Sequence, residues 1–215
     1  MIVLMSAFLL LSAFSCGGGN KANSTSEQSE ETAVNVPQFD ADSAYLYVKN
    51  QVDFGPRVPN TKEHVACGNY LAGQLEAFGA QVTNQYADLI AYDGTLLKAR
   101  NIIGSYKPES KKRIALFAHW DTRPWADNDP DEKNHNTPIL GANDGASGVG
   151  ALLEIARLVN QQQPELGIDI ILLDAEDYGA PQFYTGQHKE EFWCLGSQYW
   201  ARNPHVQGYN ARFGI

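Results

Sequence analysis

The spacing of apolar residues changes along the chain from a helical to a strand-like period and back. Intervals of three and four residues predict two helices before residue 80 and one after residue 148. Strand-like stretches near 81–91 and 95–106 are separated by the turn signal Asp93-Gly94. Short apolar runs at 114–118 and 168–173 are typical of strands covered on both faces. The order of elements predicts a three-layer α/β/α sandwich with a mixed, mostly parallel central sheet.

Cap residues set the expected bounds of the second helix. Asn60 and Glu63 have the spacing of a capping box, which predicts that the helix begins at Asn60. Gly79 is a natural residue for the position just after the helix ends.

The N-terminal segment differs in composition from the rest of the chain. Residues 1–15 are almost entirely apolar and predict a signal peptide. Cys16 follows directly and resembles the lipidated cysteine of a bacterial lipoprotein, whereas the alternative is an ordinary secretory signal with an incidental cysteine. Residues 16–38, rich in Gly, Ser and Glu, predict a flexible linker, which leaves 39–215 for the folded domain. We therefore expect an exported lipoprotein, anchored in a bacterial membrane and facing the periplasm or the cell exterior.

Charge and cysteine content narrow the possible partners. The chain has 25 acidic and 16 basic residues, for a net charge of −9, which disfavours a nucleic-acid partner. Three cysteines cannot form a disulfide framework. If Cys16 is acylated, Cys67 and Cys194 remain and could pair in an oxidising compartment.

Polar side chains cluster where the predicted strands end and where one helix begins. The three clusters are 119–122, 141–148 and 174–177. Each alone has an ordinary explanation, as a structural histidine, a helix N-cap or a pair of solvated acids. Together they place one imidazole and several carboxylates in one crevice, because ligands bind beyond the carboxyl ends of strands in open α/β sheets. This donor set suits a divalent metal, with zinc as the leading candidate.

Glu176 and Asp177 form the most informative pair. Neighbouring residues of an extended chain point to opposite sides. One carboxylate can therefore bind a metal ion while the other faces the substrate as a general base.

Five motifs follow one another along the chain and carry a family resemblance. They are FGPRVP (54–59), ARNIIG (99–104), HWDTRP (119–124), GANDGASG (141–148) and DAED (174–177). The series resembles the zinc-dependent exopeptidase superfamily of the bacterial aminopeptidase type. Within it, the segments 119–127 and 192–197 are most similar to those of bacterial glutaminyl cyclases (glutaminyl-peptide cyclotransferases) of the animal type. The resemblance runs from about residue 40 to residue 215 and implies a phosphorylase/hydrolase-like fold.

The resemblance implies a role for each matching residue. Asp144 and Asp177 match two ligands of a single zinc ion, and Glu176 matches the catalytic acid/base. His119 matches a histidine that binds a second zinc in the aminopeptidases but stays near the site in the cyclases, and Asp121 would hold its ring by a hydrogen bond. Trp193 matches the aromatic wall of the substrate pocket; Trp120 and Trp125 are further candidates, with core packing as the alternative.

The reaction implied is the cyclisation of an N-terminal Gln of peptides or proteins to pyroglutamate, with release of ammonia. One alternative is a two-zinc aminopeptidase that removes N-terminal residues. The other is a tethered lipoprotein module without activity.

The resemblance also implies that part of the site lies elsewhere in the protein. The third zinc ligand of the family is a histidine expected beyond residue 215. We therefore expect the chain to cover the N-terminal two-thirds of such a domain, and the fold to be incomplete at its C-terminus. His135, His188 and His205 could in principle supply a ligand, but surface positions are the simpler expectation.

Overall fold

Helices and strands alternate through residues 35–215, which are the residues that this computed structural model describes. The α-helices are α1 (Ala41–Val52), α2 (Lys62–Ala77), α3 (Ala146–Gln161) and α4 (Leu195–Arg202). The strands are β1 (Gln81–Ile90), β2 (Leu96–Tyr106), β3 (Arg113–His119), β4 (Gly167–Leu173) and β5 (Phe213–Gly214). Short 3₁₀ turns occupy Glu132–Asn134 and Glu190–Phe192. The predicted order of elements is confirmed, and α4 is the helix that the apolar spacing did not predict.

The described strands form one mixed sheet in the order β1-β2-β4-β3-β5. β2 pairs antiparallel with both β1 and β4, whereas β3 pairs parallel with β4 and β5. The register of the central pair joins His119 to Leu173, the last residues of β3 and β4. Both strands therefore end at the same level, and the segments that follow them leave the sheet side by side.

The two faces of the sheet bury different residues, because successive side chains of a strand alternate in direction. Ile102, Leu116, Ile170 and Leu172 pack under α2 and α3 in the main core. Ile103, Ala115, Ile171 and Leu173 face the other way, where they contact Phe117, Trp200, Tyr209 and Ala211. α1 lies outside, against α3. The predicted α/β/α layering is thus confirmed, with Trp200 of α4 covering the second face.

The start of α2 differs from the prediction. Thr61, not Asn60, is the N-cap, and its side chain accepts a hydrogen bond from the backbone N–H of His64. Asn60 has a positive φ of 74°, and its side chain binds Leu96 O and Lys98 N of β2. The tertiary contact with β2 occupies the side chain that the capping pattern assigned to the helix. At the other end Gly79 takes a φ of 79° just after the helix, as predicted.

Several predictions concern residues that precede the described part. The signal peptide over 1–15 and the lipidation of Cys16 fall outside residues 35–215 and stay predictions, as does the proposed division into domains. None of the helices within 35–215 is long and apolar enough to cross a membrane.

Candidate active site

The ends of β3 and β4 bring the three polar clusters of the sequence together. A cavity of about 310 Å³ opens there and is lined by Asp144 and Asp177 together with Arg123, Asp127 and Trp193. Asp144 precedes α3, and Asp177 follows β4. The parallel register of β3 and β4 is what makes these sequence-distant residues neighbours.

His119 is hydrogen-bonded to Asp144, which lines this cavity. His119 Nε2 lies 2.8 Å from Asp144 Oδ1. The backbone just after Asp144 is closely packed, since a Cβ on Gly145 would come within 2.9 Å of Asp121 O and 3.3 Å of the His119 ring. Gly145 also has a φ of 89°, so a side chain there would be strained as well as crowded.

Asp121 has a role beyond the contact with His119 that the resemblance implied. Its Oδ1 lies 3.5 Å from His119 Nδ1, and that nitrogen is buried without a hydrogen-bond partner. The two carboxylate oxygens of Asp121 instead accept the backbone N–H groups of Glu176 and Asp177, each at 3.1 Å. Asp121 therefore fixes the backbone of the Glu176-Asp177 pair in addition to its contact with the histidine ring.

The chain turns sharply just before this pair. Ala175 has a φ of 50°, which is uncommon for a residue with a side chain. Asp174, fully buried, anchors the turn by accepting the N–H groups of Ala175 at 2.7 Å and Arg100 at 2.6 Å. Its carboxylate also lies within 3.0 Å of the buried His64 Nε2. After the turn Asp177 lines the cavity, and Glu176 lies beside His119, with Oε2 3.9 Å from Nδ1.

Asp177 is buried beside other acids. Its Oδ2 has no hydrogen-bond partner, and the residue is 6% exposed. Burial raises the pKa of Asp177 to about 7, and the charges of Asp121, Asp144 and Glu176 add to that effect. A buried carboxylate oxygen without a hydrogen-bond donor is suited to bind a cation.

The same acids also raise the pKa of His119, which favours its charged form, whereas for Asp177 they favour the neutral form. Burial by itself would lower the pKa of His119. Asp121, Glu176 and Asp144 together outweigh that effect, and the pKa is raised to about 9. The carboxylates around His119 thus favour the charged form of its ring.

Glu176 is more exposed than Asp177, and a thiol contacts it. Cys194 Sγ donates a hydrogen bond to Glu176 Oε1 at 3.1 Å. Burial, together with this hydrogen bond, raises the pKa of Cys194 to about 12, so the thiol stays protonated. Cys194 has a φ of 55° and directly precedes α4. The sequence pattern did not predict this contact.

Two of the tryptophans predicted to line the pocket have different locations. Trp193 lines the cavity and lies beneath the Arg123 guanidinium. Trp120, in contrast, is fully buried, stacks on His64 at 4.3 Å and donates from Nε1 to Arg100 O. The assignment of Trp120 to substrate binding is therefore wrong, because its ring belongs to the core.

The remaining histidines and thiols do not complete a metal site in the described part of the chain. His188 lines the cavity, His135 contacts Asp129 O, and His205 accepts a hydrogen bond from Trp200. Within residues 35–215 no group of three or more His, Cys, Asp or Glu side chains is arranged to hold a metal ion by itself. Cys67 and Cys194 are both free thiols, Cys67 in the core and Cys194 at the site, so they do not pair.

Comparison with known proteins assigns this chain to a family. The model of peptidase family M28 matches residues 101–215, which include every residue of the site described above except His64 and Arg100. The chain belongs to peptidase family M28. Among curated proteins, YfbL of Escherichia coli is 35% identical to the M28 chain over 115 residues, which are 54% of this chain and 32% of YfbL.

Solved structures place the M28 chain close to glutaminyl cyclases. It is 94% identical to a Bacteroides thetaiotaomicron glutaminyl cyclase bound to N-acetylhistamine, with a TM-score of 0.84. The same identity and TM-score hold for a structure described as a leucine aminopeptidase precursor from that organism. A Zn-dependent exopeptidase from Parabacteroides distasonis is 63% identical, with a TM-score of 0.82. The predicted resemblance is thereby confirmed.

The overlap with these structures is partial in length. Each match covers 84% of the M28 chain, but only 62%, 62% and 61% of the three solved chains. The chain thus spans about three-fifths of the length of these neighbours.

Proposed function

We propose that this protein is a glutaminyl cyclase, which converts the N-terminal Gln of peptides or proteins to pyroglutamate and releases ammonia. The observation that carries the proposal is the 94% identity to a glutaminyl cyclase over 84% of the chain. The site supports it, since an accessible carboxylate, Glu176, stands beside buried acids and an aromatic wall.

The residues present fit the zinc ion that the family implies. Asp144 and Asp177 line one cavity, and Asp177 has a buried oxygen without a partner. Carboxylate oxygens are common zinc ligands. We propose that these two aspartates hold one zinc ion; a second ion, bound with His119, belongs to the aminopeptidase alternative. When bound, zinc would polarise the γ-carbonyl group of the substrate as a Lewis acid.

Glu176 carries the proton in the proposed reaction. Its carboxylate takes a proton from the substrate α-amino group, whose nitrogen attacks the γ-amide carbon and forms the new C–N bond of the lactam. Glu176 then gives the same proton to the departing amide nitrogen as the old C–N bond breaks, and ammonia leaves. Asp121 keeps Glu176 in place through the backbone, and the Cys194 thiol holds one of its oxygens.

The protein's other task is to hold the substrate in a reactive conformation. Nucleophile and electrophile belong to one molecule, so most of the catalytic gain comes from orientation and from exclusion of water. Trp193 supplies a flat apolar wall for this purpose at the edge of the cavity.

The substitution Glu176→Gln tests the assignment. We expect it to lower kcat for ammonia release from a Gln-peptide by about 10³-fold, as loss of a general base does, while the far-UV spectrum and Tm stay unchanged. Glu191→Gln is the matched control, because Glu191 is exposed and its carboxylate pairs only loosely with Lys189. Equal activity of the Glu176→Gln variant and the wild type would refute the role of Glu176.

A zinc aminopeptidase is the second candidate, favoured by the neighbour described as a leucine aminopeptidase precursor. Release of ammonia from a Gln-peptide without shortening of the peptide identifies the cyclase. Hydrolysis of a leucine amide identifies the aminopeptidase. The third candidate, an inactive tethered module, predicts neither product.

We further propose that the partners are peptides or proteins with an N-terminal Gln, and that the protein acts outside the cytoplasm from a lipid anchor at Cys16. The support for the anchor is the apolar segment before Cys16 and the polar linker after it. Metabolic labelling with a radioactive fatty acid, compared between wild type and Cys16→Ala, tests it.

A further inference from the structure

Arg123 lies between the catalytic carboxylates and the aromatic wall, yet no step of the proposed reaction uses it. Its side chain is 10% exposed. Nε and Nη2 donate to the two oxygens of Asp127 at 2.7 and 2.5 Å. Nη1 donates to the carbonyl groups of Asp177 at 3.1 Å and Gly179 at 3.4 Å, and Nη2 also reaches Ala180 O at 3.5 Å. Every N–H group of the guanidinium therefore has an acceptor.

The faces of the same guanidinium contact two indole rings. Its carbon lies 4.8 Å from the ring centre of Trp193 and 5.6 Å from that of Trp125. The Trp193 ring also lies directly on the backbone of Gly179, where an added Cβ would come within 2.2 Å of the indole. Arg123 and Trp193 therefore both contact the segment that follows Asp177.

We propose that Arg123 is a positioning residue, which sets the distance between the Trp193 wall and the Glu176-Asp177 pair and so the width of the pocket for the N-terminal residue of the substrate. This inference rests on the proposed cyclase function. Its geometric basis is that one side chain contacts the Asp177 backbone through its edge and the Trp193 ring through its face.

Lysine cannot replace arginine in this arrangement. The planar guanidinium binds a carboxylate through two parallel bonds and stacks on an aromatic ring at the same time, whereas an ammonium group is a point charge with fewer donors. Arg123→Lys therefore keeps the charge but loses the link between Asp177 and Trp193.

The experiment compares Arg123→Lys with Arg157→Lys in the zinc-loaded protein. Arg157 is the matched control, since it also binds a carboxylate through two bonds, to Glu154 at 2.7 and 2.6 Å, but on α3 and outside the cavity. We expect Arg123→Lys to raise KM for a Gln-peptide about tenfold, with kcat changed less, because a displaced wall weakens contact with the N-terminal residue in the ground state and the transition state alike. Arg157→Lys should leave both constants unchanged.

A second readout does not depend on activity or on zinc. Tryptophan emission is recorded for Arg123→Lys, Trp193→Phe and the double variant. If Arg123 acts on Trp193, the emission change caused by Arg123→Lys shrinks by more than half in the Trp193→Phe background. An unchanged KM, or an equal emission change in both backgrounds, would overturn the proposal.

Two further outcomes, a variant that does not fold and a wild type without activity, lead to different conclusions. If Arg123→Lys does not fold, Asp127→Asn takes its place: it keeps Arg123 but weakens its anchor, and a rise in KM supports the proposal while an unchanged KM contradicts it. If the wild type releases no ammonia from Gln-peptides, the proposed function fails, whereas the emission test still decides whether Arg123 positions Trp193.

Discussion

Asp169 and Asp177 are both buried, but their environments are opposite. Asp169 lies within β4, whereas Asp177 lies in the segment that follows the strand. Asp169 accepts hydrogen bonds from Arg113 at 2.5 and 2.8 Å, from Ser105 at 2.7 Å and from Tyr209 at 2.7 Å. Asp177 has other acids around it and an oxygen with no partner. The hydrogen bonds to Asp169 stabilise the fold, whereas the Asp177 oxygen without a partner is available to bind a ligand.

The pKa values follow the same division. Burial alone would raise the pKa of Asp169, but the hydrogen bonds from Arg113, Ser105 and Tyr209 outweigh it and hold the pKa below its ordinary value. For Asp177, burial and the neighbouring charges act together and raise it. Cavity size does not separate the two sites, because the larger cavity, of about 480 Å³, lies against the satisfied Asp169. Unsatisfied polar atoms mark the candidate site better than volume does.

The largest expected difference is in stability after substitution. In protein treated with a chelator, Asp169→Asn should lower the free energy of unfolding by about 3 kcal/mol, since it leaves the Arg113 charge buried without its partner. Asp177→Asn should change it by less than about 1 kcal/mol, because no hydrogen bond to the side chain is lost. Urea denaturation of both variants measures this, and equal losses would contradict the comparison.

Substitutions of Trp120 and Trp193 should also affect different properties, stability in the first case and KM in the second. The expected loss of stability is smaller than for Asp169→Asn. Trp120→Phe loses core packing and the hydrogen bond to Arg100 O, and we expect a loss of about 2 kcal/mol of stability. Trp193→Phe should leave stability nearly unchanged and raise KM for a Gln-peptide. Denaturation curves and steady-state kinetics on both variants check this, and a raised KM for folded Trp120→Phe would count against its core assignment.

The smallest expected effect is on the dependence of Tm on pH in the acid range. The pKa of Asp169 is lower in the folded than in the unfolded chain, so its contribution to stability is present above about pH 4, the ordinary pKa of aspartate. The contribution is lost as the pH falls through the folded pKa. Asp169→Asn should therefore flatten the acid limb of a plot of Tm against pH. A limb of unchanged slope would show that Asp169 does not contribute there.

Local patterns predicted the elements of the fold, but not how they pair or cap. The apolar periods around Val48, Leu75 and Leu153 gave three helices because they report burial on one face. The order β1-β2-β4-β3-β5 depends on contacts distant in sequence, which no period encodes. The cap at Thr61 was missed for the same reason, since a contact with β2 fixes the neighbouring Asn60.

The candidate site was predicted in its residue types more than in its contacts. Asp144, Glu176 and Asp177 do meet at one cavity or beside it, as the strand-end argument and the family resemblance implied. Burial separates Trp120 from Trp193, and a sequence does not show burial for residues in loops. The role of Asp121 could not be predicted either, because its partners are backbone N–H groups, which every residue but proline carries.

The register that pairs His119 with Leu173 has a consequence for length changes in this part of the gene. Because alternate side chains of a strand point to opposite faces, one residue added to or removed from β4 would exchange the buried sets of the two sheet faces. It would also shift Glu176 and Asp177 by one place relative to Asp121. A substitution changes the contacts of one residue, whereas a single-codon insertion or deletion within β4 shifts all the residues that follow it in the strand and the turn.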